Sequence, residues 1–195
     1  MAFTVFVDAC VLFSAAQRDI LLRMAGIDVF RVKWSDDVLV ETSRNLQRQR
    51  GLGVSQTDRL IHRMTQAFPD ACVSQERYAS LIESMPVNPK DRHVLAAAIV
   101  ARVDVLVTWN VTDFPLTACA SYGIDIQTPD NFLVTQAKLA PQSVLDALDS
   151  LIRDLRKPLI TISQWLEQQE DSLPQFVCWV RDQYRDSSDI DDFCS

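Results

Sequence analysis

The 195 residues are 48% hydrophobic and 23% charged with only four glycines, the balance of a packed globular chain rather than a disordered or fibrous one. A net charge of −7 argues against a protein that coats nucleic acid nonspecifically, since that mode needs Lys and Arg to neutralise phosphates, and no apolar run nears the roughly 20 residues that cross a bilayer. The five cysteines (Cys10, Cys72, Cys119, Cys178 and Cys194) are odd in number and form no C-x-x-C pair, and with only His62 and His93 beside them they exclude a disulfide framework and a Cys/His zinc site.

Phe3–Val7 is a short β-rich run that stops at Asp8; it reads as a first strand rather than a secretion signal, which places the chain in the cytoplasm by default. A helix is expected over 15–25, closed by Gly26, and Val29–Trp34 is strand-like. Ser35 followed by Asp36 and Asp37 is a helix start with a cap and acids in the first turn, and that helix should run to Arg50, where Gly51 and Gly53 break it. Ser55 is expected to cap another helix, ended by Pro69.

Past Pro86 and Pro89, the alanine-rich segment 91–102 reads as a buried helix, and Asp104–Thr108 as a strand covered on both faces. A short helix within 115–123, a strand over 124–127 and a helix opened by Pro129 and Asp130 follow. Strands alternating with helices imply an α/β fold, a three-layer α/β/α sandwich around a central parallel sheet, whose functional crevice lies at the carboxyl ends of the strands.

Beyond residue 136 the strand signals cease. Helices are expected over 142–155, 163–170 and 176–184, then a mobile acidic tail from Arg185. The expected division is therefore a catalytic domain at 1–135 and a helical extension at 136–195. Residues 1–135 carry 13 basic and 15 acidic side chains and residues 136–195 carry 6 and 11, so the excess acidity sits in the extension.

Four acids stand where such a sheet would gather them. Asp8 closes the first strand, Glu41 lies at the border of the apolar face of its helix, Asp91 opens the alanine-rich helix, and Asp113 follows the buried strand. Each has an ordinary explanation: a turn cap for Asp8, a helix-dipole acid for Asp91, loop chemistry for Asp113, a solvated surface for Glu41. Together they read as one cluster, and clustered carboxylates repel unless a cation offsets them. Mg²⁺ or Mn²⁺ suits an all-oxygen site and would activate water against a phosphodiester.

With those residues in view, the sequence resembles the PIN domain, the nuclease fold of the bacterial toxins called VapC. The resemblance rests on Val5-Phe-Val-Asp8-Ala-Cys-Val-Leu12, on Glu41, on Asn88-Pro-Lys-Asp91-Arg-His-Val-Leu-Ala-Ala-Ala-Ile99 and on Leu106-Val-Thr-Trp-Asn110-Val-Thr-Asp113-Phe-Pro115, and it covers about 1–135. It implies a metal-dependent endoribonuclease with RNA as substrate, Mg²⁺ or Mn²⁺ as cofactor, an antitoxin as partner and a homodimer as assembly, without a membrane. It also implies catalysis by Asp8, Glu41, Asp91 and Asp113, metal binding by Asp8, Asp91 and Asp113, and support from Thr108 and Asn110.

Two positions depart from the family pattern. Cys10 stands where many members have Asn, removing a neutral hydrogen-bonding side chain, and Asn110 stands where many have Asp, the acid falling three positions later at Asp113. These departures leave a catalytically weak or silent PIN-like binding module as the alternative. A haloacid-dehalogenase-like phosphatase fits less well, because Cys10 occupies the place of its second Asp.

Arg44 and Arg48, three and seven residues after Glu41, share one side of that helix. With Arg50, Arg59 and Arg63 they form a rim opposed only by Asp58 between residues 42 and 69. The rim is read as a phosphate grip; ordinary solvated helix faces, with Arg44 paired to Glu41, are the alternative.

Overall fold

In the computed structural model, which describes residues 3–155 and 159–186, five parallel strands form one sheet in the order β3-β2-β1-β4-β5. The strands are β1 (Thr4–Val7), β2 (Arg31–Ser35), β3 (Cys72–Val73), β4 (Val105–Val107) and β5 (Asp125–Gln127). The fold class is α/β with a central parallel sheet, as the alternation of strand and helix signals predicts. The chain divides into two compact units, the first made of residues 1–18 and 30–128, the second of residues 19–29 and 129–195.

The first unit holds the whole sheet. From β1 the chain steps outward to β2 and β3 on one side; β4 and β5 lie on the other, so direction reverses between β1 and β4. That reversal opens a crevice at the carboxyl ends of these two strands. Their register pairs Val5 with Val105, Phe6 with Leu106 and Val7 with Val107. Phe6, Val7, Leu106 and Val107 are fully buried, which fixes the register, because a one-residue slip would turn each of them to the opposite face.

Five helices complete this unit: α1 (Ala9–Leu12), α3 (Asp36–Arg50), α4 (Val54–Ala67), α5 (Arg92–Ala101) and α6 (Leu116–Ala120); α2 (Ala15–Gly26) begins in it. In α3 the Ser35 hydroxyl accepts from the Val38 N–H at 3.3 Å, and Gly51 ends the helix at φ 66°, a conformation that costs glycine little. α5 packs on β2 and β3, and its Leu95, Ala96, Ala97 and Ala98 are fully buried; small side chains let the helix approach the sheet closely.

One expectation is corrected, and one stretch carries elements that the sequence did not signal. Gly53, not Ser55, is the residue before α4, and the Gln56 side chain accepts its N–H at 2.8 Å. Between α4 and α5 the chain forms β3 and a run of 3₁₀ turns over 75–77, 79–84 and 89–91, none of which the sequence signals. β3 is a two-residue strand held by Trp34↔Cys72 and Ser35↔Val73 pairing, too short to show a period of its own.

The second unit is helical: the end of α2, then α7 (Pro129–Leu139), α8 (Pro141–Asp154), α9 (Ile162–Gln169) and α10 (Pro174–Asp186). α7 packs on α8 and α10, burying Phe132, Leu133, Leu148 and Phe176. Asp130 is buried and serves as a long-range cap, accepting the Phe176 N–H at 2.9 Å and the Gln175 N–H at 3.2 Å. Arg23 pairs with Asp19 and Asp154, each at 2.9 Å. The expected acidic tail, with Cys194, lies from residue 187 outside the described residues. None of the described helices is long and apolar enough to cross a membrane.

Phe6 sits at the centre of the first unit on the middle strand. Phe6→Ala should cost about 3–5 kcal/mol of unfolding free energy, while Val40→Ala at a 55% exposed position should stay within about 0.5 kcal/mol; urea denaturation of the two variants checks the contrast.

Candidate active site

The register that pairs Val7 with Val107 sets the next residues, Asp8 and Thr108, side by side at the crevice. Asp8 is 5% exposed, and both carboxylate oxygens are engaged. Oδ1 accepts the Ala9 N–H at 2.6 Å, so the acid does cap α1. Oδ2 accepts the Thr108 hydroxyl at 2.7 Å and the Cys10 thiol at 3.2 Å. The Thr108 oxygen in turn accepts the Asn110 N–H at 3.1 Å. One hydroxyl thus ties the first acid to the loop after β4.

Cys10 replaces the lost hydrogen-bonding residue more fully than its side chain suggests. Its sulfur accepts the Trp109 N–H at 3.3 Å while its S–H points to Asp8. Burial, and then the negative charge of Asp8, pushes the Cys10 thiol up to about 12, so it stays a protonated donor rather than a nucleophile. Cys119 alone of the described cysteines is a buried filler; Cys10 and Cys72 are half-buried and Cys178 is exposed, all free thiols.

Asp91 ends a 3₁₀ turn and precedes α5, but its side chain caps nothing. Its Oδ2 is buried without a hydrogen-bond partner, and the Lys90 ammonium lies 3.8 Å away. Burial raises its pKa; Lys90 lowers it, and the nearby Asp113 and Asp8 raise it further. A helix-cap role for this acid is therefore excluded.

Asp8, Cys10, Glu41, Asp91 and Asn110 line one cleft of about 530 Å³, together with Asp37, Arg44, Lys90 and His93. Glu41 reaches it from α3, its side chain 43% exposed and 3.8 Å from His93 Nε2. Asp113 is not on the wall of this cleft. It accepts from Lys90 Nζ at 2.9 Å, and Lys90 links it to Asp91. Among the described residues no three His, Cys, Asp or Glu side chains stand close enough together to grip one ion. The carboxylates of Asp8, Glu41 and Asp91, the last with one orphaned oxygen, nonetheless suit a hard divalent cation rather than a soft one.

Sequence reasoning passed over three cleft residues. Lys90 was signalled by its place directly before Asp91, and its ammonium is the cation these acids face. Asp37 was read only as a first-turn acid; it accepts the Tyr78 hydroxyl at 2.8 Å and so anchors α3 to the 3₁₀ run. His93, two residues after Asp91, carried no separate signal. Arg44 lines the cleft without any ion pair to Glu41, and neither Arg44 nor Arg48 has a partner among the described residues. The Trp109 indole N–H donates to the buried Gln17 at 3.1 Å, which ties that ring down.

Comparison with known proteins bears out the VapC-like resemblance. Residues 129–182 match the family described as the VapC50 C-terminal domain, the segment that forms α7, α8, α9 and most of α10. A curated relative, "Putative ribonuclease VapC50" of Mycobacterium tuberculosis (strain ATCC 25618 / H37Rv), is 35% identical over 104 residues, or 53% of this chain. The match spans 62% of that relative's own length.

The unpartnered Asp91 oxygen has a thermodynamic signature. A carboxyl whose folded pKa is raised binds its proton more tightly folded than unfolded, so stability falls as pH rises from the ordinary 3.8 through the raised value. Asp91→Asn should therefore stabilise the metal-free protein at neutral pH, with the gain shrinking as pH drops toward that ordinary value. Thermal melts of both chains across pH read this directly.

Proposed function

We propose that this chain is a divalent-metal-dependent endoribonuclease that hydrolyses RNA phosphodiester bonds and acts as the toxin of a toxin–antitoxin pair, with its chemistry in residues 1–135. The observation that carries the reading is the shared cleft of Asp8, Glu41 and Asp91, in which one buried carboxylate oxygen is left without a partner. The curated relative bears a ribonuclease name, and that likeness supports the same activity here.

Asp8 and Asp91 would hold Mg²⁺ or Mn²⁺, with Asp113 joining them once it releases Lys90 and Asn110 in support. When bound there, such an ion would supply the chemistry of water activation and charge compensation at the leaving oxygen. The chain's own groups prepare the rest. Thr108 and Cys10 hold Asp8 in one orientation through donors to Oδ2. Glu41, more exposed than Asp8 or Asp91, would accept a proton from water. Lys90 keeps Asp91 and Asp113 tolerable to one another when no other cation is near. Arg44 and Arg48, free of internal partners, hold phosphates along α3. A cognate antitoxin and a second copy are the protein partners of this reading, and the cytoplasm its compartment.

A second reading, a silent PIN-like binding module, draws on the spread of the acids: Asp113 is engaged by Lys90, and no ready-made group of three ligands is present among the described residues. Calorimetric titration with Mn²⁺ separates the two, since a silent module takes up no ion.

For the nuclease, Asp8→Asn and Asp91→Asn should each lower RNA cleavage at least about 100-fold, and chelation should abolish it. Thr108→Val should lower Mn²⁺ affinity about 10- to 100-fold by freeing Asp8. Cleavage of total RNA, with end sequencing, and Mn²⁺ titration measure these; full activity in Asp91→Asn would end the reading. Arg44→Ala with Arg48→Ala should weaken RNA binding and flatten its salt dependence by about two phosphate contacts, seen by fluorescence anisotropy over a salt series.

A further inference from the structure

A second groove, of about 550 Å³, runs between α3 and α4 and shares Val40 and Arg44 with the acidic cleft. The two hollows thus lie next to one another on α3, so a chain whose phosphate is cut in the cleft has the groove within reach. Its volume falls in the range of pockets that take small organic groups. Val40, 55% exposed, and Ile61 offer apolar flanks for the faces of a base.

The polar floor is more specific. Thr57 is fully buried and has one hydroxyl proton, which it gives to the Val54 carbonyl at 2.9 Å. With that proton so placed, it accepts from the Gln47 amide nitrogen at 2.9 Å. The same nitrogen donates to Ser43 Oγ at 3.1 Å. Both amide hydrogens are thereby committed, and Gln47 Oε1 is left as an oriented acceptor without a partner among the described residues. Asp58, also on the groove, adds only further acceptors and repels phosphate, so the backbone keeps to the Arg44 side.

We propose that the groove between α3 and α4 is a base subsite for single-stranded RNA. Gln47 Oε1 selects a base that bears an exocyclic amino group, and Arg44 holds the adjoining phosphate at the mouth of the acidic cleft. Cytosine and uracil test the choice, since cytosine carries an amino donor at C4 beside an acceptor N3, whereas uracil carries a carbonyl at C4 beside an N3–H donor. An acceptor facing the uracil carbonyl leaves two lone pairs opposed, a penalty that a hydrogen bond's usual worth sets at about 3- to 10-fold in affinity. The identity of the occupant rests on the nuclease reading; the selectivity for an amino group rests on the Thr57–Gln47 geometry alone.

The test uses the full chain carrying Asp91→Asn, so that RNA is bound and not cut. Short oligocytidylate should bind about 3- to 10-fold more tightly than oligouridylate, and Gln47→Met in the same background should bring the two to parity. Because Gln47→Met could loosen the helix pair, the Gln47 side-chain amide resonances are followed in the chain that keeps Gln47; they should shift as oligocytidylate is added. Equal affinity for the two oligonucleotides, discrimination that survives Gln47→Met, or amide resonances that stay still while RNA binds would each overturn the subsite. Shifts caused by a helical peptide but not by RNA would overturn it in favour of a protein occupant. If oligocytidylate is preferred through Gln47 yet the unsubstituted chain cuts no RNA with Mn²⁺, the subsite stands and the nuclease reading falls.

Discussion

The parallel register between β1 and β4 is the constraint on which the rest of the site depends. Four side chains buried on both faces of two strands hold Val7 against Val107. Asp8 and Thr108 then follow at the same height, and one hydroxyl proton joins them. A sheet of this kind reverses its winding direction at only one place, and it is there that two loops part and leave room for chemistry. The strength of hydrophobic packing is thus converted into the placement of an acid 100 residues away from its hydrogen-bond donor in sequence.

Charge is the second constraint. Acids brought toward one hollow resist being there, and the protein answers in different ways for each. Asp8 spends its lone pairs on Ala9, Thr108 and Cys10. Asp37 leans on Tyr78. Asp113 takes the ammonium of Lys90. Asp91 alone keeps an oxygen buried and unanswered, with its nearest cation beyond hydrogen-bond reach. Unpaired buried oxygens are costly and uncommon, and each calls for an explanation. That contrast, more than the number of acids, sets Asp91 apart from the other acids of the cleft.

Much of the fold was legible because its signals are local. A β-rich run ending at Asp8, Ser35 ahead of two acids, and glycine at 51 each declare a boundary through short-range chemistry, and each boundary lies where the residues put it. The cleft's wall of Asp8, Glu41 and Asp91 was legible for a related reason, since strand ends and helix starts converge in a parallel sheet. What escaped depends on neighbours remote in sequence. β3 is defined by pairing with Trp34 and Ser35 rather than by its own two residues. Cys10 reads as a lost polar group until its contacts with Asp8 and Trp109 are known. Lys90 looks like any surface lysine until Asp113 is beside it. Gly53 displaced Ser55 as the residue before α4 because the Gln56 carboxamide folds back on its N–H, a choice that simple cap preference does not anticipate. For Arg44 the sequence left two readings open, a phosphate grip and a helical ion pair with Glu41, and the fold shows no such pair.

Gly51, in its left-handed turn, joins α3 to α4 through a connection of three residues, whereas Asp8 waits for Thr108. Closing so short a loop takes far less time than bringing distant strands into register. During synthesis the helical hairpin with its arginines can form as soon as it leaves the ribosome, while the acid that must be oriented by Thr108 cannot be set until β4 has emerged and docked. A growing chain therefore acquires its α3–α4 hairpin before it acquires the strand pairing that orients Asp8.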